Sequence, residues 1–408
     1  MRYYSRMKKN FAILLMTVFI DFIGVGLVIP IFAPLFLSSS SNLFDANTPE
    51  NIRNLLLGLT LGAFPIFQFF GSPLLGGLSD KFGRKKILGL SLFGTFLGYV
   101  LMVVGINLQN FYLILLSRII DGFTGGNISV ATSAISDISK PEEKTKNFGI
   151  LGAIFGICFV MGPFLGGVLS DKTVHESFSL TTPFIVSAAL SFINLLLVSF
   201  VFKETLTKKI EKKVSLASGL RNLKAAFLSE KYQSLFISVF LLFCGFSFFT
   251  TFFQAFLVQK FSFTEREIGI LFAYIGLWIA FTQGLLVRFI PKKFKPINVI
   301  FVCASVLAIS IYALTIPNDK TILYFILPIV AISNGFIGPN LQTIISNSAD
   351  QSAQGEIFGI NQSVQALGSA AAPLISGFLF SISNSLPLIV AAILTVSAGF
   401  ILKRKFIW

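Results

Sequence analysis

Gly76-Gly77-Leu78-Ser79-Asp80-Lys81-Phe82-Gly83-Arg84-Lys85-Lys86 separates two long apolar stretches, residues 54–75 and 87–107. Each stretch is long enough to cross a hydrocarbon core, which takes about 20 helical residues. A charged run between two such spans belongs at a membrane surface. It holds Lys81, Arg84, Lys85 and Lys86 against one acid, Asp80, so the bias of basic loops toward the cytoplasm assigns it to that side.

The rest of the chain extends the pattern. Its 408 residues are 54% hydrophobic and 12% charged, with a mean hydropathy of +0.82, which describes an integral membrane protein. Hydropathy predicts twelve helical spans, near 11–35, 54–75, 87–107, 111–135, 147–169, 182–202, 233–256, 267–287, 297–316, 322–346, 355–380 and 386–402. An even number of spans places both termini on one face. That face then collects 26 lysines and arginines, and the opposite loops only Arg53, Lys172, Lys260, Arg266 and Lys320. The expected topology has both ends in the cytoplasm of a bacterial inner membrane.

The net charge of +14 would otherwise suggest a nucleic-acid partner. Its cations sit in short loops beside apolar spans, where orientation and anionic headgroups explain them. Residues 1–10 read as the basic flank of a retained first helix, because the apolar stretch that follows contains Asp21 and no small-residue cleavage pattern. Cys158, Cys244 and Cys303 all fall within spans, which argues against a disulfide framework. His175 stands alone in an outer loop, so no metal site is expected. No nucleophile–base pair and no Gly-x4-Gly-Lys-Ser/Thr phosphate loop occurs, so neither an enzyme nor an ATP-driven pump fits.

Lys203–Lys231 is the longest polar stretch and divides the spans six and six. The expected organisation is a six-helix bundle over residues 1–202, a cytoplasmic central loop over 203–232 and a second six-helix bundle over 233–408. The halves echo each other: Phe148-Gly149-Ile150 returns as Phe358-Gly359-Ile360, Pro163 as Pro373 and Gly167 as Gly377. A degraded copy of the opening stretch, Arg288–Phe294, keeps the cations without an acid. Internal repeats of this kind build transporter folds, with substrate bound near the bilayer midplane where the repeats meet.

Three charges lie inside spans: Asp21, Arg118 and Asp121. Even lenient insertion scales put the cost of a mid-bilayer charge at about 2.5–3.5 kcal/mol, so each needs a reason. Arg118 and Asp121 are spaced i, i+3 on one helix face. If Asp21 joins them, two carboxylates compete for a guanidinium that does not release its proton, and one acid is expected to load and unload a hydrogen ion. Asp21 is the favoured carrier, since Asp121 has the nearer arginine; Asp121 is the alternative. The competing reading is a static cluster that fixes helix packing.

With these residues in place, the chain resembles a major facilitator superfamily transporter, an all-α membrane fold of two six-helix bundles. Gly76, Asp80, Lys81, Gly83, Arg84 and Lys85 match that superfamily's loop motif between its second and third spans. Asp21–Pro30 is similar to the first helix of the drug–proton antiporters, especially the tetracycline exporters. Gly152, Gly156, Gly162, Pro163, Gly166 and Gly167 in span five resemble the motif associated with antiport. Arg118-Ile119-Ile120-Asp121-Gly122 is similar to the family's Arg-x-x-Gln-Gly, with Asp121 where Gln is usual.

The resemblance implies roles. The loop motif would latch the cytoplasmic side, with Asp137 joining its charge network. Arg118 would take part in proton transfer, and a bend at Pro163 would limit proton leak through an empty carrier. Glycine spacings at 122/126, 152/156 and 162/166 bring helices together. Phe246, Phe249 and Phe253 with Tyr274 and Trp278 could add an aromatic lining. Polar candidates for a substrate cavity are Gln254, Asn334, Asn340, Gln342, Asn361, Gln362 and Gln365, because amides are disfavoured against lipid. Apart from Glu267 and Glu356 at the very ends of their spans, the second-half spans contain no acid, unlike some tetracycline exporters. The expected function is proton-coupled efflux of a small amphiphilic or drug-like molecule. It needs no cofactor beyond the proton as coupling ion and is carried out by a monomer among membrane lipids, without nucleic acid. A proton symporter for nutrient uptake is the alternative, followed by a non-transporting receptor or scaffold.

Overall fold

A computed structural model of the protein describes residues 2–38, 41–45, 47–139, 141–206, 218–229, 232–287, 294–348 and 354–405. Every regular element among them is a helix. These are α1 (Arg2–Leu37), α2 (Glu50–Phe82), α3 (Arg84–Asn107), α4 (Phe111–Thr124), α5 (Asn127–Ile138), α6 (Pro141–Ser170), α7 (Thr182–Phe200) and α8 (Ser218–Leu228). They continue with α9 (Gln233–Phe261), α10 (Glu265–Phe281), a π-turn at Thr282–Leu286, α11 (Pro296–Ala313), a 3-10 turn at Lys320–Ile322, α12 (Leu323–Asn347), α13 (Gln354–Ile382) and α14 (Leu386–Lys405). Ten helices in the described residues are long and apolar enough to cross a membrane. The remaining two expected spans are the fourth, divided between α4 and α5, and the fifth, α6, whose described apolar part is Ile154–Ser170.

Three expectations need adjustment. The opening stretch is not a loop: α2 runs on through Asp80 and Lys81 to Phe82, and Gly83 alone breaks the chain before α3. Gly83 has φ +104°, a backbone state that L-residues rarely adopt. The fourth span is interrupted at Gly125–Gly126, where backbone bonds of irregular span replace the α-helical ladder. The central loop contains a helix, α8, whose Leu223 and Ala226 are buried. α6 continues past Pro163 to Ser170, as a membrane helix can when neighbours satisfy the freed carbonyl. The echo at residues 288–293 lies outside the described residues.

The helices group into two compact units, Met1–Ile31 with Ala63–Ser218 and Phe32–Gly62 with Gly219–Trp408. The boundary differs from a cut in the central loop because the early turns of α2 pack on α13: the backbone of Gly58 meets that of Pro373 and Gly377. In the first unit, α3 packs against α4, α5 and α7, and Ile13, Leu14, Val18, Leu88, Leu92 and Val130 form a dry core. In the second unit, α9 packs against α13 and α14, and α11 against α12 and α14. Along α9 the rings of Phe246, Phe249, Phe253 and Phe256 follow one another with centroids 4.9–6.2 Å apart, and Phe253 meets Phe272 of α10. Phe249 and Phe253 are fully buried, so these two expected cavity aromatics are core.

Candidate functional site

Asp21 sits on α1 between two apolar clusters, one containing Val18 and the other Ile23, Leu27 and Cys158. It is 7% exposed, and its Oδ2 has no hydrogen-bond partner. On α4, Arg118 Nη1 donates to Asp121 Oδ2 at 3.0 Å, and both side chains are buried. The guanidinium also lies 4.5 Å from the ring centroid of Phe64, an attraction that strengthens away from water. Asp121 thus takes the arginine that the sequence reading had two acids share.

Other residues pack around this cluster. Tyr99 of α3 is 3% exposed and packs on Gly24, where any Cβ would overlap its Oη. Its neighbour Gly98 admits the Asp121 side chain: a Cβ at 98 would stand 3.0 Å from that of Asp121. Asn127, the first residue of α5, is fully buried and lies against the Asp21 carboxyl, with neither amide atom closing a hydrogen bond of good geometry.

The interruption between α4 and α5 follows from how closely α2 approaches. A Cβ at Gly126 would stand 2.5 Å from the backbone of Gly71 and Ser72, and one at Gly122 would strike the backbone of Phe64. Carbonyls at the irregular turn find side-chain donors, as buried polar groups must. Ser91 donates to the Thr124 carbonyl at 2.5 Å and Gln68 Nε2 to that of Gly125 at 3.2 Å.

At the α2–α3 corner, Arg84 is the hub. Its Nη1 meets Asp80 Oδ1 at 2.6 Å and Ser79 Oγ at 2.5 Å, and its Nε meets Asp137 Oδ2 of α5 at 3.0 Å. The side chain is only 6% exposed, so these bonds are little screened. Glu204, just past α7, caps α3 from far along the chain: it accepts from the backbone N–H of Arg84 at 3.0 Å and of Lys85 at 3.1 Å. The same carboxylate accepts from Thr205 N and Leu206 N, each at 3.0 Å, which fastens the start of the central loop. The capping carboxylate fills the space where a side chain at Gly83 would project. Lys81 lies over the Phe82 ring, and Gly76 packs on Ser129.

The span-five glycines divide. A Cβ at Gly162 would stand 2.7 Å from the Cα of Gly26 on α1, Pro163 packs on the same glycine, and Gly166 abuts Leu27 and Pro30. Gly167 is buried beside them. Gly156 has open space around it and brings no helix close, and the surroundings of Gly152 lie outside the described residues.

Two of the seven polar cavity candidates lie far apart. Phe240 meets Gly368, Ser247 bonds the carbonyl of Ser369, and Phe252 meets Phe380, so α9 and α13 run side by side in one direction. Gln254 and Asn361 therefore lie at opposite ends of that pair. Both are buried; Gln254 bonds the carbonyl of Thr251, and the Asn361 amide has no partner. Asn334, Asn340 and Gln365 are half-buried, Asn340 being bonded to its own helix at Phe336, and Gln342 and Gln362 are exposed.

A profile described as Major Facilitator Superfamily matches residues 14–373. The chain belongs to this superfamily. Among its relatives, the tetracycline resistance protein, class H, of Pasteurella multocida is 29% identical over 381 residues, covering 92% of this chain and 90% of that protein. Multidrug resistance protein 2 of Bacillus subtilis is 27% identical over 400 residues, covering 96% and 94%. The crystal structure of the human organic anion transporter MFSD10 superposes with a TM-score of 0.72 at 21% identity, covering 97% of this chain and 99% of that one. The all-helical architecture is accordingly that of the twelve-helix facilitator fold, and the protein is an integral membrane transporter, not an enzyme.

For this facilitator, sequence reasoning missed Tyr99, Asn127, Phe64 and Glu204. The Gly125-Gly126 pair was the available signal for a helix irregularity placing Asn127 beside Asp21. Nothing local marks Glu204, because its partners are 120 and 119 positions away.

Proposed function

We propose that this facilitator exports small amphiphilic, drug-like molecules from a bacterial cell in exchange for protons, by alternating access, with Asp21 as the proton carrier. The supporting observation is the buried Asp21 carboxyl, with an unpartnered Oδ2, beside an Arg118–Asp121 ion pair closed at 3.0 Å. Paired charges at depth are stable as they stand, whereas an acid with an unpartnered oxygen is far more comfortable neutral than ionised. A group that is neutral in one state and charged in another is what proton coupling uses. Resistance proteins among the relatives make tetracycline and other drug-like compounds the first substrates to test.

The carrier works as a monomer in the bacterial inner membrane with both termini in the cytoplasm, the side carrying most of its basic residues. The Asp80–Arg84–Asp137 cluster closes that side in the outward-facing state. The coupling ion is the proton, and no other cofactor takes part.

Everted vesicles carrying the protein test this reading. An acid-inside gradient should be partly dissipated when tetracycline or another exported drug is added, and the Asp21→Asn variant, inserted in equal amount, should abolish the response. Proton movement along with the substrate would identify a symporter. An unaltered response from the variant would remove Asp21 from the mechanism.

A further inference from the structure

Asp21 and Asn127 lie against each other in the first unit, each with buried polar atoms that close no hydrogen bond of good geometry, and a native interior leaves few such groups without a reason. In Asp21 the atom is Oδ2; in Asn127, which is fully buried, the atoms are Oδ1 and Nδ2. Among the described residues, the other ionisable groups near Asp21 are Asp121 and Arg118 on α4, Tyr99 on α3 and Cys158 on α6. Arg118 is engaged with Asp121 and Phe64, and Cys158 lies 3.4 Å from the Phe19 carbonyl. Asn127 is the neighbour whose amide has no partner besides the Asp21 carboxyl among the described residues.

An amide has a property that the charged neighbours lack. Its NH2 donates and its C=O accepts, so a half-turn about the terminal side-chain torsion exchanges the two. A carboxylate needs a donor, and a carboxylic acid needs an acceptor for its O–H. A purely donating partner such as arginine serves only the ionised form. Asn127 can serve both.

We propose that Asn127 is a positioning residue for the proton carrier, donating from Nδ2 to the ionised Asp21 and accepting at Oδ1 from the protonated one. The proton enters and leaves Asp21 from water, and the amide neither gains nor loses it. Asn127 follows directly on the Gly125–Gly126 irregularity, where ladder hydrogen bonds are already interrupted. Phe64 touches both this irregularity, at Gly125, and Arg118. This inference rests on the reading of Asp21 as the carrier.

Acid-minus-base infrared difference spectra of the full-length protein in lipid nanodiscs test it, through the carbonyl stretch of the protonated carboxyl. Loss of that band in Asp21→Asn assigns it. In Asn127→Ala the assigned band should shift to the higher frequency of an acid without a hydrogen-bond acceptor. Asn127→Ser, whose hydroxyl also donates and accepts, should give an intermediate position and serves alone if the alanine variant does not fold. A band that Asp21→Asn removes but that stays in place in the Asn127 variants overturns the role of Asn127 while leaving the carrier intact. A band that survives Asp21→Asn overturns both.

Discussion

Asp21, Arg118 and Asp121 differ in what surrounds them, and that difference decides their chemistry. Asp121 has a guanidinium at 3.0 Å, and Arg118 has in addition the face of Phe64. Asp21 has an amide that completes no bond. Removing one partner of a buried pair leaves an uncompensated charge, at a cost of about 3–5 kcal/mol. Asp121→Asn should accordingly lower the thermal unfolding midpoint in detergent markedly, whereas Asp21→Asn should leave it unchanged or raise it; equal destabilisation by the two would contradict the assignment of the arginine to Asp121. All three charges were legible in the sequence because a charge inside an apolar span is conspicuous. Asn127 and Tyr99 were not, since an amide and a phenol are tolerated in many membrane helices, and only the helix crossing selects the two that meet Asp21.

At the scale of elements, hydropathy placed the spans well because lipid demands long apolar runs whatever the packing. It misjudged the second span's end, since α2 carries Ser79, Asp80 and Lys81 into its last turns once Arg84 provides a partner for the acid. The fourth span's interruption was hidden for a similar reason: Gly125 and Gly126 are as apolar as their neighbours, and the irregularity comes from the close passage of α2 at Gly71. Gly126→Leu would drive a side chain into backbone with nowhere to yield, at a cost of about 1–3 kcal/mol or more. Its unfolding midpoint should fall well below that of Gly156→Leu, which enters open space; similar values for the two would refute the close crossing. Glu204→Ala removes the acceptor for two N–H groups at the start of α3, a change worth about 1 kcal/mol or less at so exposed a position. Backbone amide exchange at Arg84 and Lys85 should quicken in that variant while exchange in the middle of α3 stays as it was. Unchanged exchange at both residues would show that the cap holds nothing.

For the molecule as a whole, architecture was read more completely than the route of its substrate. Superfamily membership and the transporter class follow from span number and the charged motifs, and the match over residues 14–373 bears them out. Four of the expected lining residues do not share one place, because an amide at a helix end and an aromatic on a helix face need not meet: Phe249 and Phe253 went to the core, and Gln254 and Asn361 to opposite ends of α9 and α13. The claim on which the functional account turns is that Asp21 carries the exchanged proton. Its most direct test is to add a transported drug to purified protein in weakly buffered detergent solution and to record the protons released on binding. The account predicts release by the wild-type chain and none by Asp21→Asn at matched substrate occupancy; equal release by both would contradict it.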